Sequence, residues 1–239
     1  MYVSSRSRLA SIATSWTLIQ RAHAGEDTRA SNARFGIIDQ YGGAAWKYLL
    51  GVARDETLAE DLFQEFVLRI LRGDLCRVTP QKGRFRDYIK SVLINLVRDH
   101  YRQHERLAVS LGEERTAAAP TCDEPADAFD SSWREALLRD TWQELKRCHP
   151  ALFAVLHLHV DRVDEPASAK ARRLGETLGQ TFTANRFRVT LHRAREKFSA
   201  ILQDKVAATL EDPSEACLRH ELKHLRLLRY CRRADSPAP

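Results

Sequence analysis

Five side chains between Thr183 and Leu202 carry the chemistry that stands out first: Asn185, Arg186, Arg188, His192 and Arg193. Cations gathered on one side of a short stretch make a surface suited to a DNA groove. What positions them is a helix. Phe187, Leu191, Ala194, Phe198 and Ile201 recur at steps of four and three, so one stripe faces a core and the polar set faces outward. Thr183 stands where it can cap the first turn, and Phe182 where it can pack on Phe187 as a hydrophobic staple. Upstream, Ser168 to Leu178 forms a shorter helical pattern closed by Gly179. Helix, glycine turn and longer basic helix predict a helix-turn-helix whose second helix enters the major groove with its N-terminal residues. By charge alone, a solvated basic helix on an ordinary helical protein would look the same.

A second concentration of cations, roughly residues 82–106, begins with Lys82-Gly83-Arg84-Phe85-Arg86. The spacing predicts a helix from about Asp87 to Arg106. Tyr88, Ile89, Val92, Leu93, Leu96 and Val97 form its buried side, and Lys90, Ser91, Asn95, Arg98, Asp99 and Arg102 its outer one. Before it, Thr57 to Leu71 reads as a helix with capping-box spacing between Thr57 and Glu60. Leu62, Phe63, Phe66, Val67, Ile70 and Leu71 make its apolar face, leaving Asp61, Gln64 and Glu65 outside. Residues 73–83 should form the intervening loop.

The remaining chain reads as further helix. Leu9, Ile12, Trp16 and Ile19 make one stripe, and a run from Ala33 to Leu50 follows, with a break expected at Gly42-Gly43. From Leu107 to Asp130 the periodicity fades. Glu113, Glu114, Asp123, Glu124, Asp127 and Asp130, with Pro120 and Pro125, predict an acidic, mobile linker there and hence two domains. Trp133, Leu137, Leu138, Trp142 and Leu145 open the second block, and Pro150 starts the next helix. At the end, Asp212-Pro213-Ser214-Glu215 marks the start of a last helix, from Pro213 to Arg233, with a stripe of Leu218, Leu222, Leu225 and Leu228. The expected fold class is all-α: two helical domains at 9–106 and 131–205, a linker at 107–130 and a C-terminal extension at 206–239.

Composition narrows the function classes. The net charge of +6 is moderate, but the basic residues cluster at 82–106 and 170–197 around an acidic middle, a pattern that suits a polyanion partner. Cys76, Cys122, Cys148, Cys217 and Cys231 form no close pair, and an odd count suits a reduced cytoplasmic protein. No run approaches the roughly 18 apolar residues of a membrane span. Residues 1–10 lack the apolar core of a signal peptide. His100/His104 and His220/His224 have ligand spacing but no adjacent glutamate or third ligand, so no metal site is expected. Without a phosphate loop, nucleophile elbow or cysteine pair, neither an enzyme nor a cofactor is expected.

The order of parts resembles an extracytoplasmic-function (ECF) sigma factor of bacterial RNA polymerase, in a divergent branch. The motifs are Ala59-Glu60-Asp61-Leu62-Phe63-Gln64-Glu65-Phe66-Val67-Leu68-Arg69 and Leu191-His192-Arg193-Ala194-Arg195-Glu196-Lys197-Phe198, with Ser15-Trp16-Thr17-Leu18-Ile19 and Gly83-Arg84-Phe85-Arg86 between the expected limits of Thr14 and Leu228. The resemblance implies two helical domains on a flexible linker, core RNA polymerase and promoter DNA as partners, and room for an anti-sigma factor. It implies that Asp61, Gln64 and Glu65 dock on the polymerase, and that the helix from Asp87 captures the unwound minus-ten strand. There Asn95 would meet a base edge and Arg84, Arg98 and Arg102 the backbone, while Phe85 and Tyr88 read equally well as core or as stacking platforms. In the minus-thirty-five domain Arg186 and Arg188 would reach guanine edges, beside Asn185, and His192 and Arg193 phosphates. The turn Gly179-Gln180-Thr181-Phe182-Thr183 is about two residues longer than the common family pattern, which leaves open which side chains meet bases. A helix-turn-helix regulator that never docks on polymerase is the alternative, and a protein-binding scaffold a further one.

Overall fold

The computed structural model describes residues 28–74, 85–111, 124–179, 181–210 and 214–231, and among them every regular element is helical. The described residues form two compact units. One holds those up to Ala136 together with Ala207–Cys217, the other Leu137–Val206 and those from Leu218 onward. The stripe at Leu9 to Ile19, the centre of the acidic linker, and Asp212 and Pro213 lie outside the described residues.

In the first unit, α1 (Thr28–Ala53) and α2 (Glu56–Arg72) form an antiparallel hairpin. Its turn is two residues long. Arg54 takes the left-handed conformation at φ 55°, its N–H donating to the Leu50 carbonyl at 3.1 Å. Asp55 then caps α2 by accepting from the Leu58 N–H at 2.9 Å. The Thr57/Glu60 capping box is therefore not used: the helix begins one residue earlier, with an acid as its cap. Nor do Gly42 and Gly43 break α1. Each costs about 1 kcal/mol relative to alanine in a helix interior. Burial of the adjacent Tyr41, Ala44, Ala45, Tyr48 and Leu49 outweighs that penalty.

Phe85–Leu111 forms α3, whose buried Ile89, Leu93, Leu96 and Val97 are residues of the expected apolar side. A fourth helix, α4 (Glu124–Cys148), begins within the stretch expected to be linker. Its first half completes this unit's core. Trp133 stacks on Tyr41 at 4.7 Å, Phe129 meets Tyr48 edge-on at 5.8 Å, and Phe85 meets Tyr41 edge-on at 5.4 Å. Arg86, only 1% exposed, pairs with Asp130, which Lys90 also reaches at 3.2 Å. The boundary expected at 130 thus falls inside a packed helix, because Phe129 and Trp133 bury more apolar surface in this unit than a solvated tether could.

The second unit contains the rest of α4, α5 (Pro150–Asp161), α6 (Ala167–Leu178) and α7 (Ala184–Ala207) through Val206. Trp142 lies 5.0 Å from Phe198 and meets Phe153 edge-on, anchoring a core of Leu145, Val155, Leu156, Leu174, Leu191 and Ala194. The last helix, α8 (Glu215–His224), is shorter than expected. Ser214 accepts from the Cys217 N–H at 3.4 Å at its start. Its end is set by Arg226 at φ 56°, with the Leu227 N–H reaching the Leu222 carbonyl and the Arg226 N–H that of Lys223. Leu227 consequently takes the buried place expected of Leu228. Beyond it, Tyr230 lies 6.4 Å from Phe198 and the Cys231 thiol bonds with Ser199 and Gln203, so this tail packs on α7.

Candidate nucleic-acid interface

Three rows of side chains are presented outward. On α3, Asn95 and Arg102 are exposed and Arg98 half-buried, at steps of three and four along one face. Asp99 lies 3.9 Å from Arg102 on the same surface. Arg98 also acts inward: burial pushes the Tyr48 phenol up to about 12, against the pull of the Arg98 charge. Arg84 lies outside the described residues. The basic-aromatic run that includes it is divided by the fold. Phe85 is wholly buried, which removes it as a stacking platform, and Arg86 is committed to Asp130, whereas Tyr88 remains half-exposed beside Phe85.

The acidic row lies on α2. Asp61 and Gln64 are exposed; Glu65 is half-buried and accepts from Arg69 Nε at 3.0 Å, one turn further on. Asp61 also faces α3. Burial and the neighbouring His104 hold His100 below its usual range, and the Asp61 carboxylate opposes them. The two imidazole rings stand 4.3 Å apart. Among the described residues no three His, Cys, Asp or Glu side chains are grouped to hold a metal ion.

The third row is on α7. Gly179 closes α6 at φ 62°, a conformation that favours glycine, and donates its N–H to the Gly175 carbonyl. Thr183 caps α7, accepting from the Arg186 N–H at 3.2 Å. Phe187, Leu191, Ala194, Phe198 and Ile201 are all buried, so Asn185, Arg186, Arg188, His192 and Arg193 are turned outward and exposed. His192 stands 3.9 Å from Glu196. Phe182, expected as a staple on Phe187, carries the Arg186 guanidinium 4.5 Å from its ring centroid, and Arg186 Nη1 donates to the Thr181 carbonyl at 3.2 Å. Arg195, further along, donates to His159 Nε2 at 2.7 Å. Burial, Arg195 and Lys170 together hold that imidazole below its usual range, in the neutral form that can accept.

Comparison with known proteins bears on the first unit most directly. Residues 37–107 match the family model described as sigma-70 region 2. Over 129 residues the chain is 32% identical to the ECF RNA polymerase sigma factor BldN of Streptomyces coelicolor, covering 54% of this chain and 47% of that protein. The chain therefore spans about half the length of this curated relative. No solved structure matches it significantly. No helix of the described residues is long and apolar enough to cross a membrane. A sigma-70 region 2 thus lies on α1 to α3, and over about half its length the chain is similar to an ECF RNA polymerase sigma factor.

Proposed function

We propose that the protein is a promoter-specificity subunit of RNA polymerase: it binds the core enzyme, recognises two promoter elements and helps to open the downstream one. Catalysis stays with the polymerase, and the subunit works in the cytoplasm without a cofactor of its own. The observation that carries this reading is the region 2 match, which falls on the helices bearing both the acidic row and the Asn95, Arg98 and Arg102 row. Asp61, Gln64 and Glu65 would dock on a basic partner surface, giving orientation and on-rate more than raw affinity. Asn95 would meet a base edge of the unwound strand, with Arg84, Arg98 and Arg102 neutralising its backbone. The row from Asn185 to Arg193, entering the major groove in helix-turn-helix fashion, would read the upstream element as duplex. An anti-sigma factor is a further partner of a kind that would suit an ECF-type subunit.

The test is in vitro transcription by the full chain with purified bacterial core polymerase on a pool of random promoters. The expected result is a set of start sites sharing two sequence elements, lost when Asp61 and Gln64 are both changed to alanine. Failure of the folded chain to associate with core polymerase would overturn the reading. Duplex binding without that association would instead make it a DNA-binding regulator.

A further inference from the structure

Arg186 is the cation of the α7 row that is tied at both ends to the turn before the helix. Its backbone N–H bonds to the Thr183 hydroxyl, Nη1 donates to the Thr181 carbonyl, and the guanidinium carbon lies 4.5 Å from the Phe182 ring centroid. Arg188 and Arg193 show no such tether among the described residues, and both are exposed. The difference bears on what each arginine can do.

A phosphate accepts an arginine from many directions, so a mobile side chain serves there. A guanine edge demands two parallel N–H donors in one plane. An arginine side chain has roughly 2 kcal/mol of rotamer entropy to lose when it is ordered. One that is already ordered loses less on binding. A ring beneath the guanidinium suits this purpose, since stacking uses the flat face and leaves N–H edges for a base. Only one of the five guanidinium N–H groups is needed for the Thr181 carbonyl.

We propose that Phe182 is a positioning residue that holds Arg186 in the plane needed to read a base pair, making the Thr181–Thr183 turn part of the specificity apparatus. The inference rests on the proposed promoter-recognition function and deepens it. Arg186 becomes the base reader, and Arg188 and Arg193 become backbone contacts. It also gives a use to the lengthened turn, which brings an aromatic ring under the first arginine of the helix.

The experiment selects promoters from a library randomised across the upstream element, using holoenzyme made with the full-length chain. It compares wild type with Arg186→Ala, Phe182→Leu, Phe182→Met and Phe182→Trp. Circular dichroism and thermal melting confirm that each is folded. Phe182 is half-exposed, and leucine and methionine offer two apolar replacements without a π face. Arg186→Ala should flatten the preference at one or two adjacent base pairs by about ten- to a hundredfold, the range of a lost bidentate contact. Phe182→Leu and Phe182→Met should weaken preference at those same pairs by about two- to fivefold, the scale of an exposed cation–π contact, and Phe182→Trp should restore it. Wild-type holoenzyme with no upstream preference at all would refute the promoter-recognition reading itself. If wild type selects an element, three results overturn the positioning role alone. They are an Arg186→Ala profile like wild type's, leucine and methionine profiles like wild type's, and a loss in those variants that falls equally on all sequences.

Discussion

Asp130→Asn is the most informative single perturbation of the first unit. The Arg86 side chain is 2% exposed and Asp130 17%, so water replaces little of what the carboxylate supplies. Removing one partner of a buried ion pair costs ~3–5 kcal/mol, because the remaining charge is left uncompensated in a poorly polarisable site. Here the loss is softened. Asp87 Oδ1 lies 3.4 Å from Arg86 Nη2, but its side chain is half-exposed, so it screens the cation only in part. We expect ~2–4 kcal/mol from Asp130→Asn, measured by urea unfolding of the full chain. Hydrogen exchange should assign the loss to α1, α3 and the first half of α4. Arg86→Met in the same background should recover part of it, with a coupling of at least about 1 kcal/mol in the double-mutant cycle. A cost under about 0.5 kcal/mol, the scale of an ordinary surface substitution, or strictly additive effects, would refute the idea that this pair holds α4 to the unit.

Other perturbations have equally definite outcomes. A methyl group added at Gly42 would meet Phe63 at 3.6 Å and Ile38 at 3.7 Å, ordinary contacts, so Gly42→Ala should stabilise the protein by ~0.5–1 kcal/mol in urea unfolding. Arg226 holds a left-handed conformation without a glycine's freedom. Arg226→Gly should therefore raise stability by up to ~1 kcal/mol, and a lower thermal midpoint would show that its side chain matters more than its backbone. His159 and His100 are both held below their ordinary value of 6.5. The stability tied to their neutral forms is present above about pH 6.5 and should be lost as pH falls through their lower folded-state values. His159→Gln should flatten the acid limb of the stability-against-pH curve, and an unchanged limb would exclude His159 as a contributor.

Local signals in the chain were sufficient for most of the helices. The α7 stripe was readable because a helix repeats every 3.6 residues, and all five of its apolar residues are buried. Thr183 and Gly179 were readable because caps act within a single turn of backbone. Pro150 likewise stands at the start of α5. From those features alone the outward rows on α2, α3 and α7 follow, as does the all-helical class.

Tertiary packing decided what competing local signals left open. Two glycines suggested a break in α1, but burying Tyr41 and Tyr48 together with their neighbours contributes more than glycine's helix penalty removes. Asp55 rather than Thr57 caps α2, since the hairpin turn at Arg54 sets where the helix begins. Acidic residues near 130 read as tether because charge is scored locally. Asp130 meets Arg86 across 44 positions of sequence, and no periodicity links residues that far apart. The same holds for Trp133 on Tyr41 and for Phe85, whose ring sits in the core rather than on the outer face of its helix. Which aromatic side chains are core and which are free to meet a base depends on long-range burial, whereas the face on which each helix carries its cations follows from helical geometry alone.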